Sequence, residues 1–144
     1  MRVYLDNCCL NRPFDDQEQP RIRLEAEAKL LIQDSIRARH LELAWSYVLD
    51  YENDANPFPE RRRAITHWKA HAVVDVDETQ AVLDRALLLA SLGIKPYDAL
   101  HVATAIAGGC THFLTTDDHL LRRRQVVQDI TMMDPLSFAR EMTL

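Results

Sequence analysis

Apolar positions along this chain alternate between short solid runs and runs spaced three or four residues apart, and that alternation predicts strands and helices in turn. The run Val3-Tyr4-Leu5 makes residues 2–5 a first strand. A helix is predicted over 25–39, where Ala28, Leu31, Ile32 and Ile36 trace one apolar face and Glu25 and Lys29 stand in the favourable i,i+4 order. Residues 41–45 read as a second strand ending at Ser46, which can cap a helix through about residue 53. Pro57 and Pro59 then break the chain before a helix over 60–70 and a short strand at Val73-Val74.

The second half repeats the alternation. Asp77 is the expected cap of a helix whose Val82, Leu83, Ala86, Leu87 and Ala90 form a stripe that stops at Gly93. Pro96 suits the first position of a helix running to Gly108-Gly109, and this helix is almost wholly apolar after its first turn, which predicts a central position. Residues 113–116 and 130–133 read as the last two strands, and Pro135 opens a closing helix. Strands that alternate with helices imply a parallel sheet with right-handed crossovers, hence an α/β fold.

The 144 residues fit one domain, 1–144, that buries about 68–70% of its unfolded surface. With 47% apolar and 27% charged residues and only three glycines, there is no linker or low-complexity stretch to divide it. The first residues read as a strand rather than a signal peptide, and no apolar run reaches membrane-spanning length. Cys8, Cys9 and Cys110 are an odd set without C-x-x-C spacing, which suits a reduced, cytoplasmic protein. A formal net charge of −5 argues against a basic coat over the whole surface, but Arg61-Arg62-Arg63 and Arg122-Arg123-Arg124 are local basic runs that could meet phosphates.

The chemistry lies in four acids. Asp6 follows the first strand, Glu52 lies six residues past Ser46, Asp98 sits just inside the helix opened by Pro96, and Asp117 follows Phe113-Leu114-Thr115-Thr116. Strand ends of an α/β sheet converge on one crevice. Two bare charges ~5 Å apart at an effective dielectric of ~20 repel by roughly 3 kcal/mol, so such a cluster calls for a cation. Oxygen-only donors suit Mg²⁺ or Mn²⁺, ions that acidify a bound water and steady a leaving oxygen in phosphodiester cleavage. Each acid also has a plainer reading. Asp98 favours a helix dipole, Asp117 or Asp118 could cap the helix through Leu120, and Glu52 could be a solvated helix residue. Asp6 has no obvious helix to cap. His101, one turn after Asp98, could touch a phosphate, although packing or hydrogen bonding is its more ordinary role. His67 and His71 are four apart but lack the glutamate of an H-E-x-x-H site.

In the order Val3-Tyr4-Leu5-Asp6, Ser46 through Glu52, Tyr97-Asp98-Ala99-Leu100-His101-Val102-Ala103 and Leu114-Thr115-Thr116-Asp117, the chain resembles the PIN-domain family over essentially its whole length. The resemblance implies a three-layer α/β/α sandwich with a central parallel sheet of about five strands. It also implies metal-dependent ribonuclease activity, often as the toxin of a VapBC-like toxin–antitoxin pair, with a small antitoxin partner and a homodimer. Asp6, Glu52, Asp98 and Asp117 would then be the catalytic and metal-binding set, and the Thr-x-Asp pattern from Thr115 selects Asp117 over Asp118. From their own positions, Arg12, in the expected turn of residues 11–14, is the basic residue nearest the acids, and Arg122 and Arg123, more ordinarily a solvated face, would hold RNA through phosphates if they edge the crevice, contacts that carry no sequence information. The chain departs from the family where Asp6 is followed by Asn7 and Cys8 instead of Thr or Ser and then Asn or Ser; Cys8 is a poor hydrogen-bonding neighbour for Asp6. A catalytically silent scaffold that binds RNA or a protein is therefore the alternative. A phosphatase would carry Asp-x-Asp after strand one, and a receiver a lysine where Met132-Met133-Asp134-Pro135 stands.

Overall fold

In the computed structural model, which describes residues 1–144, five parallel strands lie in the order β3-β2-β1-β4-β5: β1 Arg2–Leu5, β2 Glu42–Ser46, β3 Ala72–Val76, β4 His112–Leu114 and β5 Thr131–Met133. The central strands are β1, β2 and β4, and Val3, Tyr4, Leu5, Ala44, Phe113 and Leu114 are at most 1% exposed, as strands covered on both faces must be. The helices α2 (Pro20–Arg37) and α8 (Pro135–Glu141) pack together, as do α5 (Gln80–Ser91) and α6 (Pro96–Ala107), giving the α/β/α sandwich expected from the alternation. No helix is long and apolar enough to cross a membrane.

Element boundaries differ from the periodicity where local chemistry intervenes. α2 begins at Pro20, five residues before the predicted start, because proline at a first helical position loses no hydrogen bond. It ends at Arg37, and the left-handed Arg39 (φ 61°) turns the chain into β2. Asp77 is not the cap of α5. β3 extends to Val76, the chain needs three more residues to turn, and the Thr79 hydroxyl accepts from the Val82 N–H at 3.2 Å instead. β4 stops at Leu114, leaving Thr115 and Thr116 outside the strand.

Two short helices have no periodic signature. α1 (Asn7–Asn11) follows β1 directly, with Asp6 as its N-cap, so Asp6 does have a helix to cap. Residues expected as a turn form a 3₁₀ segment, Arg12–Phe14. α3 (Tyr47–Asp54) is capped by Ser46 as predicted, with the hydroxyl accepting from Leu49 N–H at 3.3 Å. α4 spans Pro59–Lys69, and α7 (Asp118–Leu121) is capped by Asp117.

Because β1 leads outward to β2 and β3 on one side and β4 to β5 on the other, the strand order reverses between β1 and β4. In an open α/β sheet this is where a crevice forms at the carboxyl ends of the strands. Leu5 pairs with Leu114 in register, so the residues that follow both strands leave the sheet side by side.

Candidate functional site

Asp6 is the best-anchored acid of the crevice. Its backbone N–H donates to Leu114 O at 2.9 Å, tying the end of β1 to β4. Its Oδ1 accepts from the Asn7 N–H at 2.8 Å, and its Oδ2 accepts from the Thr115 hydroxyl at 2.8 Å and, weakly, from Cys8 Sγ at 3.4 Å. Thr115 Oγ1 in turn accepts from the Asp117 N–H at 3.1 Å, so one hydroxyl sets the positions of two acids from different segments. The support that a Thr or Ser would give from beside Asp6 is thus supplied across the strand pair. Thr115 was missed as a positioning residue; its signal was a hydroxyl one residue past a buried strand.

Glu52 reaches the crevice from the second turn of α3. Its Oε1 lies 2.7 Å from His101 Nε2, and that nitrogen is also 3.9 Å from Asp6 Oδ1. His101 is 1% exposed and uses its other nitrogen on the Tyr4 hydroxyl at 2.6 Å, while Tyr4 also meets the Ser46 hydroxyl at 2.7 Å. A buried chain Ser46–Tyr4–His101–Glu52 therefore links β2, β1, α6 and α3. Burial pulls the His101 imidazole down, but the Glu52 hydrogen bond and the charges of Asp6, Glu52 and Asp98 outweigh it and raise the pKa. His101 is a hydrogen-bonding residue, with neither ring nitrogen free for a phosphate. The network was hard to read in advance because Tyr4 sits within an apolar run.

Asp98 occupies the first turn of α6, half-buried, with its pKa pushed up to about 6, chiefly by burial and then by the charges of Asp6 and Asp117. Three of the acids thus sense one another's charge. Asp117 caps α7 through Oδ1, which accepts from the N–H groups of His119 and Leu120 at 2.9 and 3.3 Å. The neighbouring Asp118 has a different environment: Arg21 holds both its oxygens at 2.7 Å, and this pairing lowers its pKa. None of the four acids forms an ion pair with a lysine or arginine; the only cationic group at salt-bridge distance is His101, if protonated.

No three acidic, histidine or cysteine side chains are grouped closely enough to hold a metal ion as they stand. The donor chemistry nevertheless fits a hard divalent cation. It is all carboxylate oxygen, it lacks a lysine or arginine ion pair, and the charges of Asp6 and Asp117, which add to burial in raising the Asp98 pKa, are ones a cation would offset. Of the basic candidates, Arg12 is tied to Glu25 and Asp15 at 3.3 and 3.2 Å. Arg122 is exposed, its Nε donating to Asp118 O at 3.2 Å. Arg123 is exposed and lies against Gly93, whose positive φ (+99°) turns the chain from α5 towards α6; a Cβ there would meet the guanidinium at 3.1 Å.

Residues 3–126 match the family model described as PIN domain, so the chain belongs to the PIN-domain family. Among solved structures it is similar to a chain in the crystal structure of VapBC2 from Rickettsia felis bound to a DNA fragment from their promoter. The identity there is 12%, covering 93% of this chain and 98% of that one, with a TM-score of 0.58. It is also similar to a chain of VapBC-1 from nontypeable Haemophilus influenzae, at 15% identity over 94% and 98% of the two chains, again with a TM-score of 0.58. These likenesses are of fold. No curated protein sequence matches the chain.

Proposed function

We propose that this PIN-domain protein is a divalent-metal-dependent endoribonuclease, the toxin of a type II toxin–antitoxin pair, with Asp6, Asp98 and Asp117 holding Mg²⁺ or Mn²⁺. The observation that carries the reading is the set of acids at the β1/β4 reversal, of which Asp6 and Asp117 are held in place by Thr115 and none has a lysine or arginine ion pair. A bound divalent ion supplies positive charge to the phosphoryl oxygens and acidifies a water. The chain's own residues do the remaining work. Thr115 and the Asn7 N–H fix the Asp6 carboxylate, and His101 holds Glu52 at the edge of the crevice, where it can take a proton from the attacking water. Arg122 and Arg123 are the phosphate contacts of this reading; the charge of Arg12 is already balanced by Glu25 and Asp15.

The likeness to chains of VapBC assemblies supports a small antitoxin partner. The exposed Leu87, Leu88 and Leu92 at the end of α5 suit a homodimer contact. A single domain in the cytoplasm completes the proposal. RNA incubated with Mg²⁺ or Mn²⁺, with chelator, and with the Asp6→Asn variant tests the enzyme reading: cleavage is expected only with metal and the native Asp6. Cleavage that survives both losses overturns it, and absence of both cleavage and Mn²⁺ binding at millimolar concentration supports the silent scaffold.

A further inference from the structure

Lys29 stands one turn after Glu25 on α2, but the two do not pair: the Glu25 carboxylate is taken by Arg12 and Arg21, at 3.3 and 3.2 Å. Lys29 is 3% exposed and forms no ion pair or hydrogen bond; its ammonium lies over the Trp68 ring, 5.7 Å from the centroid. Burial pulls its pKa down to about 8, and no carboxylate charge offsets this. Gln33, one turn further along α2, is 2% exposed, and its amide nitrogen is buried without a hydrogen-bond partner. Leaving such groups unmet costs free energy that apolar side chains at these positions would avoid. Both line a cavity of about 230 Å³ between α2, α4 and the 3₁₀ segment, whose other walls include Leu10, Phe14, Ile65 and Trp68. None of the four acids of the crevice lines it. Arg37 over Trp68 and Arg61 over Phe14 are already paired with Asp34 and Asp15, so Lys29 is the cation left over.

We propose that this cavity binds a small apolar monocarboxylate, an aromatic or short aliphatic acid, with its oxygens on the Lys29 ammonium and the Gln33 amide and its body against Leu10, Ile65 and Trp68. The single unpaired cation selects a single negative charge, and the i,i+4 spacing of the two donors lets one head group meet both. A hydrated inorganic anion would leave the apolar walls unmet, and a neutral apolar molecule would leave Lys29 unpaired. The volume is below the roughly 300–1,000 Å³ of drug-sized sites, which limits the occupant to about one ring or a short chain. In so dry a place a charge-assisted hydrogen bond is stronger than at the surface. The site stands apart from the four acids and does not depend on the ribonuclease reading.

Calorimetric titration of the full chain with benzoate and hexanoate, and with benzamide and hexanamide as uncharged counterparts, tests the site. The acids are expected to bind at millimolar concentration or below, and each amide about 10-fold or more weakly, because it cannot form the charge-assisted bond. Lys29→Met should weaken binding of the acids about 10- to 150-fold, and Gln33→Leu about 2- to 10-fold. Both variants remove an unmet polar group from a buried place, so their thermal midpoints should equal or exceed that of the native chain, which separates lost binding from misfolding. In an isotope-labelled chain, benzoate should shift the Gln33 side-chain amide and Trp68 indole resonances, and Asp98→Asn should bind it as the native chain does. No binding of either acid at millimolar concentration, equal binding of acid and amide, native affinity in Lys29→Met, or acetate or inorganic phosphate binding as tightly as hexanoate each overturns the site.

Discussion

Two groups of acidic residues lie close together in this molecule and are treated in opposite ways. Around the 3₁₀ segment and the start of α2, Asp15, Glu25 and Asp118 are each met by arginine: Arg12 and Arg61 at Asp15, Arg12 and Arg21 at Glu25, and Arg21 at Asp118. In the second group, Asp6, Glu52 and Asp117 meet hydroxyls, backbone N–H groups and one histidine, and Asp98 is half-buried in the first turn of α6 without a lysine or arginine ion pair. The first arrangement cancels charge and stiffens the surface. The second keeps its carboxylates without a lysine or arginine ion pair in a half-buried place, where burial first and then the charges of Asp6 and Asp117 raise the Asp98 pKa. Folding alone would favour neutralising both, so the contrast supports the proposed metal site at these four acids.

The comparison is broken most directly by activity. Asp6→Asn and Asp98→Asn are expected to reduce metal-dependent RNA cleavage by about 10³-fold or more, as loss of a principal charge-stabilising group does. Asp118→Asn, one residue from Asp117 but paired with Arg21, should leave the cleavage rate within a few-fold. Equal losses at the two kinds of site, read from initial rates, would erase the distinction.

Stability should respond in the reverse sense. Glu25→Ala leaves the half-buried guanidinium of Arg12 short of a partner and should destabilise the fold by about 3 kcal/mol in urea unfolding. Asp98→Asn should instead stabilise it, by about 1–2 kcal/mol at pH 8, a figure reduced for the partial exposure of the carboxyl. The sign follows from the folded carboxyl binding its proton more tightly than the unfolded one. The penalty is absent below the ordinary carboxylate range, grows as pH rises towards about 6, and is complete above it. The gain from Asp98→Asn should therefore vanish near pH 4, and a gain independent of pH would assign it to packing.

The smallest expected effect concerns the cation itself. If Asp98 must ionise to bind, the apparent affinity for Mn²⁺ should weaken as pH drops below about 6, and Mn²⁺ should raise the thermal midpoint of the native chain more at pH 8 than at pH 5. Titration calorimetry at the two pH values checks this. The same ion should not shift Asp98→Asn.

Several features were legible in the chain before any coordinates. The five strands, the long helices, and the placing of Asp6 and Asp117 after strands and of Glu52 and Asp98 on helices follow from hydrophobic period and proline placement, because those signals are local. The short helix α1 was not: it is too brief to show a period and begins at the cap that Asp6 provides, whereas α7 was legible only as a helix that either Asp117 or Asp118 could cap. The caps themselves depended on where strands stop. Asp77 and Thr79 are equally good capping residues in sequence, and only the length of β3 chose Thr79.

Taken alone, the sequence determined that strands and helices alternate, that the sheet is parallel, and that Asp6 and Asp117 follow strands, since each rests on residues near one another in the chain. Tertiary structure alone decided which acids share an environment. The reversal between β1 and β4 brings Asp6 against Thr115, 109 positions away, and the packing of α6 on the sheet sets His101 between Tyr4 and Glu52. It also decided that Asp118 meets Arg21 while Asp117 meets none of the arginines. Neighbours in sequence have the same charge and the same composition around them; burial and the reach of a guanidinium from another helix give them different chemistry.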